Sequence, residues 1–192
     1  MTDRLILEDV NRVTSIKIVN LVMTADLRQG VELVKIGELP YVSYDPAKYN
    51  GRVAYLTLPG MSGKVTIFQS GKLISVGTRS GAQAKRDLTF VVKYLASKQI
   101  IKPISLEPKI RNIVAAVDLG ESLDIEALYS RIGSIVYEPE VFPAAIYKPD
   151  CSPRATVLLF SSGKAIISGV TTLKEINGTI SELRNRIAGF EE

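Results

Sequence analysis

The chain has 192 residues, 46% of them hydrophobic, and its 24 Lys and Arg against 20 Asp and Glu give a formal net charge of +4. This length and apolar fraction suffice for one domain or two small ones, and the mild positive charge permits an anionic partner without requiring one. The chain has no histidine and a single cysteine, Cys151. It therefore lacks the commonest general base and metal ligand, so no metal or cofactor is predicted and an enzyme is disfavoured.

The sequence predicts no membrane-spanning helix, because it contains no run of about 20 apolar residues. Its first residues, MTDRLILEDVNR, include acidic side chains and lack the long apolar run of a signal peptide. A single cysteine excludes an internal disulfide and is typical of a reducing compartment. Together these features predict an intracellular protein.

An internal repeat dominates the sequence. The segments Ile67–Gly77 and Leu159–Gly169 match at Phe, Ser, Gly, Lys, Ile and the final Gly, with an offset of 92 residues. Two earlier blocks match in the same order, with offsets of 93 and 95: Val42–Pro46 with Ile135–Pro139, and Ile18–Val19 with Ile113–Val114. Three blocks in one order with nearly equal offsets indicate a duplication of a unit of roughly 90 residues.

The first elements of each copy, in chain order, are a strand and a short helix. A β-branched stretch at about residues 14–25 and again at 109–118 predicts the strand. The helix is predicted over Val31–Gly37 in the first copy and Leu123–Ile132 in the second, where Ser122 is the expected N-cap.

Four short strands and a longer amphipathic helix complete each copy. The buried stripe of that helix is predicted from apolar residues three and four apart: Ala84, Leu88, Val91, Val92 and Leu95, then Leu173, Ile176, Ile180, Leu183 and Ile187. The order β-α-β-β-β-β-α, twice, predicts an α+β fold with helices on one face of an antiparallel sheet. The predicted boundaries are 1–12 for an N-terminal segment, 13–100 for the first repeat, 101–108 for a linker and 109–190 for the second repeat.

The second face of this sheet is unexpectedly apolar. In the strand that ends at Phe160, Val157 and Leu159 point to one face, while Leu158 and Phe160 share the other with Thr156. Only one face can lie under the helices, so the other is left apolar, as at an interaction surface. Burial by a second copy of the chain or by a third layer is the alternative that the pattern leaves open.

Three segments of the second copy resemble TATA-box-binding proteins: Arg111–Ala115, Tyr137–Pro143 and Leu158–Lys164, the last followed by Gly169. The first copy resembles that family's first repeat more loosely, and the likeness covers about residues 13–190. The resemblance implies a saddle, in which both repeats form one continuous curved antiparallel sheet with helices on the convex face and DNA against the concave face. The resemblance also implies minor-groove binding with aromatic wedges and a bent duplex.

The resemblance also assigns roles to individual residues. Of the four wedge positions, Phe142 and Phe160 fill the second repeat's pair, while Phe68 and Tyr49 fill the first's. The central asparagine position holds Asn112 in the second repeat and Lys17 in the first. The apolar positions of the groove floor hold Val19, Val114, Ile74, Ile166 and Leu158. The family's two hydroxyl positions hold Ser168 and Val76, and its basic positions near phosphates hold Lys72, Lys164 and Arg154.

The departures Lys17, Tyr49 and Val76 lie in the first repeat. Lysine still supplies a donor to minor-groove acceptors, so the expectation is retained DNA binding with a looser preference for A·T pairs.

Partners are predicted from three surfaces. The loop residues Glu138, Glu140 and Val141 match the segment through which the family holds transcription factor B, and through it RNA polymerase. The first long helix carries five cations, which suit flanking phosphates, an acidic partner or plain solvent: Arg79, Lys85, Arg86, Lys93 and Lys98. Without DNA, the concave face suits a weak homodimer.

The predicted function is that of a general transcription factor that binds and bends A·T-rich promoter DNA. The short N-terminal segment resembles archaeal members, which places the protein at the nucleoid; a eukaryotic member would be nuclear. The alternative is a divergent paralogue that acts mainly as a protein-interaction module with weak or relaxed DNA specificity. An enzyme is the third reading, but the densest carboxylates lie around a strand end and a helix start, where acids stabilise the helix dipole: Asp118, Glu121, Asp124 and Glu126.

Overall fold

A computed structural model describes residues 15–188 of the chain. The predicted N-terminal segment, residues 1–12, lies outside the described residues, as do positions 13–14 and 189–190 of the two predicted repeats. The described chain divides into two compact units: the first unit is residues 20–111, and the second unit is residues 112–188 together with 15–19.

Each unit follows the predicted element order. The first half of the chain forms β1 (Ser15–Asp26), α1 (Leu33–Gly37), β2 (Val42–Tyr44), β3 (Val53–Leu56), β4 (Lys64–Phe68), β5 (Lys72–Thr78) and α2 (Gly81–Ser97). The second half forms β6 (Lys109–Asp118), α3 (Ile125–Arg131), β7 (Ile135–Val136), β8 (Ala145–Tyr147), β9 (Thr156–Leu159), β10 (Lys164–Val170) and α4 (Leu173–Ala188). The prediction of two β-α-β-β-β-β-α copies in an α+β fold is therefore confirmed.

The strands of each unit pair in antiparallel fashion. Their spatial order is β2-β3-β4-β5-β1 in the first unit and β6-β10-β9-β8-β7 in the second. Equivalent strands keep one register, since Leu21 lies opposite Thr78 on β5 and Ile113 lies opposite Val170 on β10. Both pairs are related by 92 residues, the offset of the strongest sequence match.

The short helices begin later than predicted. The backbone N–H groups of Val31 and Leu123 donate to Gln69 O at 3.0 Å and Ser161 O at 2.9 Å, so these two residues belong to the preceding loops. Ser122 is not the N-cap of α3. Asp124 is, because its carboxylate accepts from the Ala127 N–H at 2.9 Å and thereby satisfies a helix N–H that would otherwise lack a partner.

The long helices cover one face of the strands. All five residues of the predicted stripe on α2 are buried, and Ile176, Ile180 and Leu183 of α4 are 1% exposed. The stripe on α4 is shorter than predicted, since Leu173 is 40% exposed at the first helical position and Ile187 is half-buried. The face of each unit's strands that lies under its helix is mostly buried, and the opposite face, here called the open face, is more accessible.

Candidate nucleic-acid interface

The open face of the second unit is built from aliphatic side chains. Every second residue of its strands, such as Ile166 or Leu158, is half-buried. The residues between them, such as Ile167, Val157 and Leu159, are nearly inaccessible. Cross-strand pairing aligns one residue from each of the five strands in a row, here called its central row: Ala116, Ile166, Leu158, Ile146 and Val136. An apolar row of this kind, left uncovered by its own helices, is a surface suited to an apolar contact.

The central row of the first unit occupies the equivalent strands but differs in chemistry. Its register is equally continuous, from β1 across to β2: Thr24, Ile74, Thr66, Tyr55 and Ser43. Only Ile74 matches the aliphatic character of the second unit. The first unit's central row is thus hydroxyl-rich where the second unit's is aliphatic.

Most of the predicted groove residues on strands lie on these open faces. In the second unit Val114, Ser168 and Phe160 are half-buried, and in the first unit Ile74 and Val76 are half-buried as well. Val19 is 38% exposed and Lys17 is exposed. The structure places these side chains at accessible positions, and their roles in binding stay predictions.

Two asparagines occupy equivalent positions on the open faces. The Gly169 N–H donates to Asn112 Oδ1 at 2.8 Å, and the Gly77 N–H donates to Asn20 Oδ1 at 2.9 Å. A backbone N–H can be met only by the amide oxygen, so each side chain is held with its NH₂ group directed away from the glycine.

The predicted equivalence of Lys17 with Asn112 is therefore wrong, and Asn20 holds that position. Val22, half-buried on β1, is likewise the counterpart of Val114, rather than Val19. The matching β-branched pairs Ile18–Val19 and Ile113–Val114 suggested an offset of 95, whereas the offset of 92 taken from the phenylalanine–glycine block identifies Asn20 and Val22.

Tight turns position Phe68 and Phe160. The Gly71 N–H donates to Phe68 O at 2.8 Å, and the Gly163 N–H donates to Phe160 O at 2.9 Å. Gly163 has φ +77°, and a Cβ there would lie 1.7 Å from Glu121 O, so the turn requires glycine. Each turn ends at an exposed lysine that begins the next strand, Lys72 or Lys164.

The other two wedge candidates lie on loops and are more exposed. Phe142 is 41% exposed in a turn whose N–H groups, those of Val141 and Phe142, donate to Glu138 O at 2.9 Å. Tyr49 is 68% exposed and begins a 3₁₀ turn, Tyr49–Gly51, with φ +51°. Burial, with a smaller effect of the Tyr49 phenol, raises the pKa of Tyr55.

Cations surround the open face of the first unit. Lys72, Lys109 and Arg111 line an open cavity of about 450 Å³ beside Phe68 and Ile74. Arg111 Nε donates to Thr24 Oγ1 at 3.0 Å. Lys64, which sequence reasoning missed, lies opposite Val76 on β4 with its ammonium 4.7 Å from the Tyr55 ring centroid. The alternation of β4 could have identified Lys64, since it shares a face with Thr66 and Phe68.

The remaining predicted surfaces are accessible. Arg154 is exposed, as are Glu138, Glu140 and Val141, the last at 79%. The outer face of α2 presents Lys85, Arg86, Lys93 and Lys98 to solvent, with Arg79 just before the helix. Asp87, its one acid, is fully buried and accepts from the Ser62 and Gly63 N–H groups, so it does not neutralise that face.

Two of the carboxylates considered for catalysis have structural partners instead. Asp124 caps α3, and Asp118 Oδ1 accepts from the Gly120 N–H at 3.0 Å. Within residues 15–188, no group of His, Cys, Asp and Glu side chains is arranged to hold a metal ion. In the same range, no helix combines the length and apolarity that crossing a membrane requires.

Comparison with known proteins connects these features to one family. The profile of the family described as "Transcription factor TFIID (or TATA-binding protein, TBP)" matches the chain twice, at residues 15–98 and 107–190. The TATA-box-binding protein of Cenarchaeum symbiosum is 38% identical over 173 residues, which are 89% of this chain and 93% of that protein. The TATA-box-binding protein of Methanothermobacter thermautotrophicus is 33% identical over 177 residues, covering 92% and 96% of the two chains.

The fold has a close counterpart among solved structures. The structure described as Methanococcus jannaschii TBP superimposes with a TM-score of 0.82 at 28% identity, covering 91% of this chain and 98% of that one. This likeness confirms the predicted fold, and the double profile match agrees with the two units seen in the structure.

Proposed function

The chain belongs to the TATA-binding protein family, a family of transcription factors rather than enzymes, and we propose that it binds A·T-rich promoter DNA in the minor groove and bends it. The observation that carries this proposal is the pair of equivalent asparagines, Asn20 and Asn112, set among half-buried open-face side chains. A·T pairs present only acceptors to the minor groove, and each fixed amide offers donors to meet them.

The apolar open face supplies the second part of the binding energy. Aliphatic side chains such as Ile166 and Leu158 can press into the minor groove only where the groove widens. Phe142 and Phe160 in the second unit, and Phe68 and Tyr49 in the first, are the side chains proposed to enter between base steps. Unstacking costs a few kcal/mol per step, and the bent duplex offsets that cost by contacting more protein.

Phosphate contacts follow from the exposed cations. Lys72, Lys164 and Arg154 supply positive charge at strand or loop ends, and Lys109 and Arg111 add to it in the first unit. Such contacts strengthen binding regardless of sequence and make it depend on salt. Since the substrate is genomic DNA, the protein acts at the nucleoid of an archaeal cell, or in the nucleus of a eukaryotic one.

The exposed loop of Glu138, Glu140 and Val141 is the proposed contact for transcription factor B, which in turn brings RNA polymerase. Two carboxylates beside a 79% exposed valine combine charge and apolar area at one protruding site. A partner with a basic, partly apolar surface suits this chemistry.

The second candidate is a protein-interaction module that scarcely binds DNA. It is favoured by the departures of the first repeat, and with Asn20 at the asparagine position the departures Tyr49 and Val76 remain. A weak homodimer through the open faces in the absence of DNA remains compatible with either candidate.

Fluorescence anisotropy with A·T-rich duplexes at low salt tests the proposal. We expect wild-type binding, and we expect the double variant Phe142→Ala, Phe160→Ala to lose at least about tenfold in affinity, since each wedge contributes apolar contact and unstacking. Tyr129→Ala is the matched control, because Tyr129 is an aromatic residue 51% exposed on α3. Absence of wild-type binding, or equal affinity of the double variant, would overturn the DNA proposal and favour the interaction module.

A further inference from the structure

The two central rows can be compared position by position, because they occupy equivalent strands in one chain. Hydroxyl groups occupy four of the five positions in the first unit, and none of the five in the second. The paired positions are Thr24 with Ala116, Ile74 with Ile166, Thr66 with Leu158, Tyr55 with Ile146, and Ser43 with Val136. Four substitutions of the same chemical kind along one row change how that row can meet a polar surface.

The hydroxyl of Thr66 lies at the middle of the first unit's row. Thr66 pairs with Ile74 on one side and Tyr55 on the other, and its side chain is half-buried on the open face. No hydrogen bond to it is found within residues 15–188. The Thr24 hydroxyl already accepts from Arg111 Nε at 3.0 Å and Ser43 lies at the exposed far end of the row, so Thr66 is the threonine at the middle of the row that can accept a hydrogen bond.

Base pairs differ in what they present to such a row. In the minor groove, A·T pairs show only acceptors, whereas a G·C pair adds the guanine N2 amino group as a donor. An aliphatic side chain pressed over that amino group excludes water and leaves the donor without a partner, which is costly in a dry interface. A threonine hydroxyl at the same place can accept from the amino group and keep it satisfied.

We propose that the first unit tolerates G·C pairs in its half of the DNA site, whereas the second unit requires A·T pairs. Thr66, supported by the neighbouring hydroxyls, is the specificity-determining residue of the tolerant half, and Leu158 is its excluding counterpart. This inference rests on the proposed minor-groove function and adds the base preference of each half.

The adjacent row limits the inference to base pairs over the central rows. There the second unit carries Ser168 opposite Thr156, and the first unit carries Val76 opposite Lys64. The Thr156 hydroxyl already accepts from Lys148 Nζ at 2.5 Å. In this adjacent row the hydroxyls lie in the second unit, so the contrast is reversed there, and the inference concerns only base pairs over the central rows.

The test starts from an A·T-only duplex and replaces one pair at a time by G·C, with Kd measured by fluorescence anisotropy. For the wild type we expect G·C replacements in the half of the site that contacts the first unit to change Kd by less than about threefold. G·C replacements in the half that contacts the second unit's central row should weaken binding roughly tenfold or more, as mismatched pairs do in specific complexes.

Two exchanges between the rows identify the residue responsible. Thr66→Val keeps the β-branched shape without the hydroxyl, and should raise the ratio of Kd for the G·C-substituted duplexes to Kd for the A·T-only duplex roughly tenfold at the tolerated positions. Leu158→Thr should relieve the penalty in the other half. Ser43→Ala provides a second loss of hydroxyl at the far end of the row, and thermal unfolding checks the fold of every variant.

The outcomes are separable. Equal G·C penalties in both halves, or unchanged tolerance in Thr66→Val, would overturn this inference while leaving A·T-only binding intact. Failure of the wild type to bind even the A·T-only duplex would overturn the proposed function, and the inference with it.

Discussion

At the scale of single residues, two asparagines show which positions of the two copies are equivalent. Asn20 and Asn112 each accept an N–H from a glycine of positive φ, Gly77 at +84° and Gly169 at +80°. The same contact at the same offset shows that both copies retain this arrangement. Lys17, expected at the first of these positions, lies elsewhere on β1.

The donors of the two amides can be removed without disturbing their structural contact. Asn20→Asp and Asn112→Asp each keep an oxygen for the glycine N–H, but lose both donors and add a charge that phosphates repel. We expect each to weaken binding to A·T-rich DNA by at least about tenfold, measured by fluorescence anisotropy.

Lys17→Ala tests whether Lys17 or Asn20 occupies the central asparagine position of the first repeat. It should cost a few-fold at most and act mainly on the salt dependence, as loss of a surface cation does. Loss of binding in Lys17→Ala with full binding in Asn20→Asp would contradict the assignment.

At the scale of elements, a carboxylate on α4 fixes the loop between β8 and β9. Glu182 accepts from the Tyr147 hydroxyl at 2.5 Å, the Asp150 N–H at 2.9 Å and the Cys151 N–H at 2.8 Å. Arg186, one turn later, lies 3.3 Å from the same carboxylate. The loop is therefore held to α4 by the Glu182 carboxylate and by the ion pair between Arg186 and Asp150.

The stability of the protein should depend on pH through this carboxylate. Burial acts to raise the pKa of Glu182, but hydrogen bonds from Cys151, Tyr147 and Asp150 outweigh it and lower the pKa to about 2 from an ordinary 4.5. A lowered folded-state pKa means that its contribution is present above about pH 4.5 and is lost as the pH falls towards 2.

Glu182→Gln removes that ionisation. We expect it to lower the free energy of unfolding at pH 7 by about 1–3 kcal/mol, since hydrogen bonds to a charged group are lost. It should also flatten the decline in stability between pH 4.5 and pH 2, followed by urea unfolding. Glu126→Gln, at an exposed position on α3, is the control. An unchanged acid decline in Glu182→Gln would show that other carboxylates cause it.

At the scale of the whole molecule, the exposed positive charge is concentrated in two places. The net charge of +4 is modest, yet exposed cations are concentrated at the ends of open-face strands and on the outer side of α2. If the proposed function is right, only those at the DNA contribute to its salt dependence, because each neutralised phosphate releases counterions.

Salt titration distinguishes the two groups of cations. Lys72→Ala, Lys164→Ala and Arg154→Ala should each reduce the slope of log K against log salt by about 1 and weaken binding to all duplexes alike. Lys93→Ala, an exposed cation on α2, should leave the slope unchanged. A reduced slope in Lys93→Ala would indicate that α2 also contacts flanking phosphates.

Much of this protein could be read from its sequence, since the informative features are local. The repeat, the order of elements, the buried stripe of α2 and the apolar second face depend on spacings of two, three and four residues, which strands and helices impose wherever they form. The wedge candidates Phe68 and Phe160 came from the resemblance to the family, which rests on short motifs that are local as well.

Contacts between distant segments decided the rest. Asn20 was identified by a hydrogen bond to Gly77, 57 positions away, and by the pairing of Leu21 with Thr78; neighbouring β-branched residues look alike in sequence and cannot fix that register. Val31 and Leu123 lie outside their helices because their N–H groups meet carbonyls about 38 residues away. The contrast between the hydroxyl-rich and aliphatic central rows also emerged only in the structure, because a row takes one residue from each of five strands, and only strand pairing determines which five stand side by side.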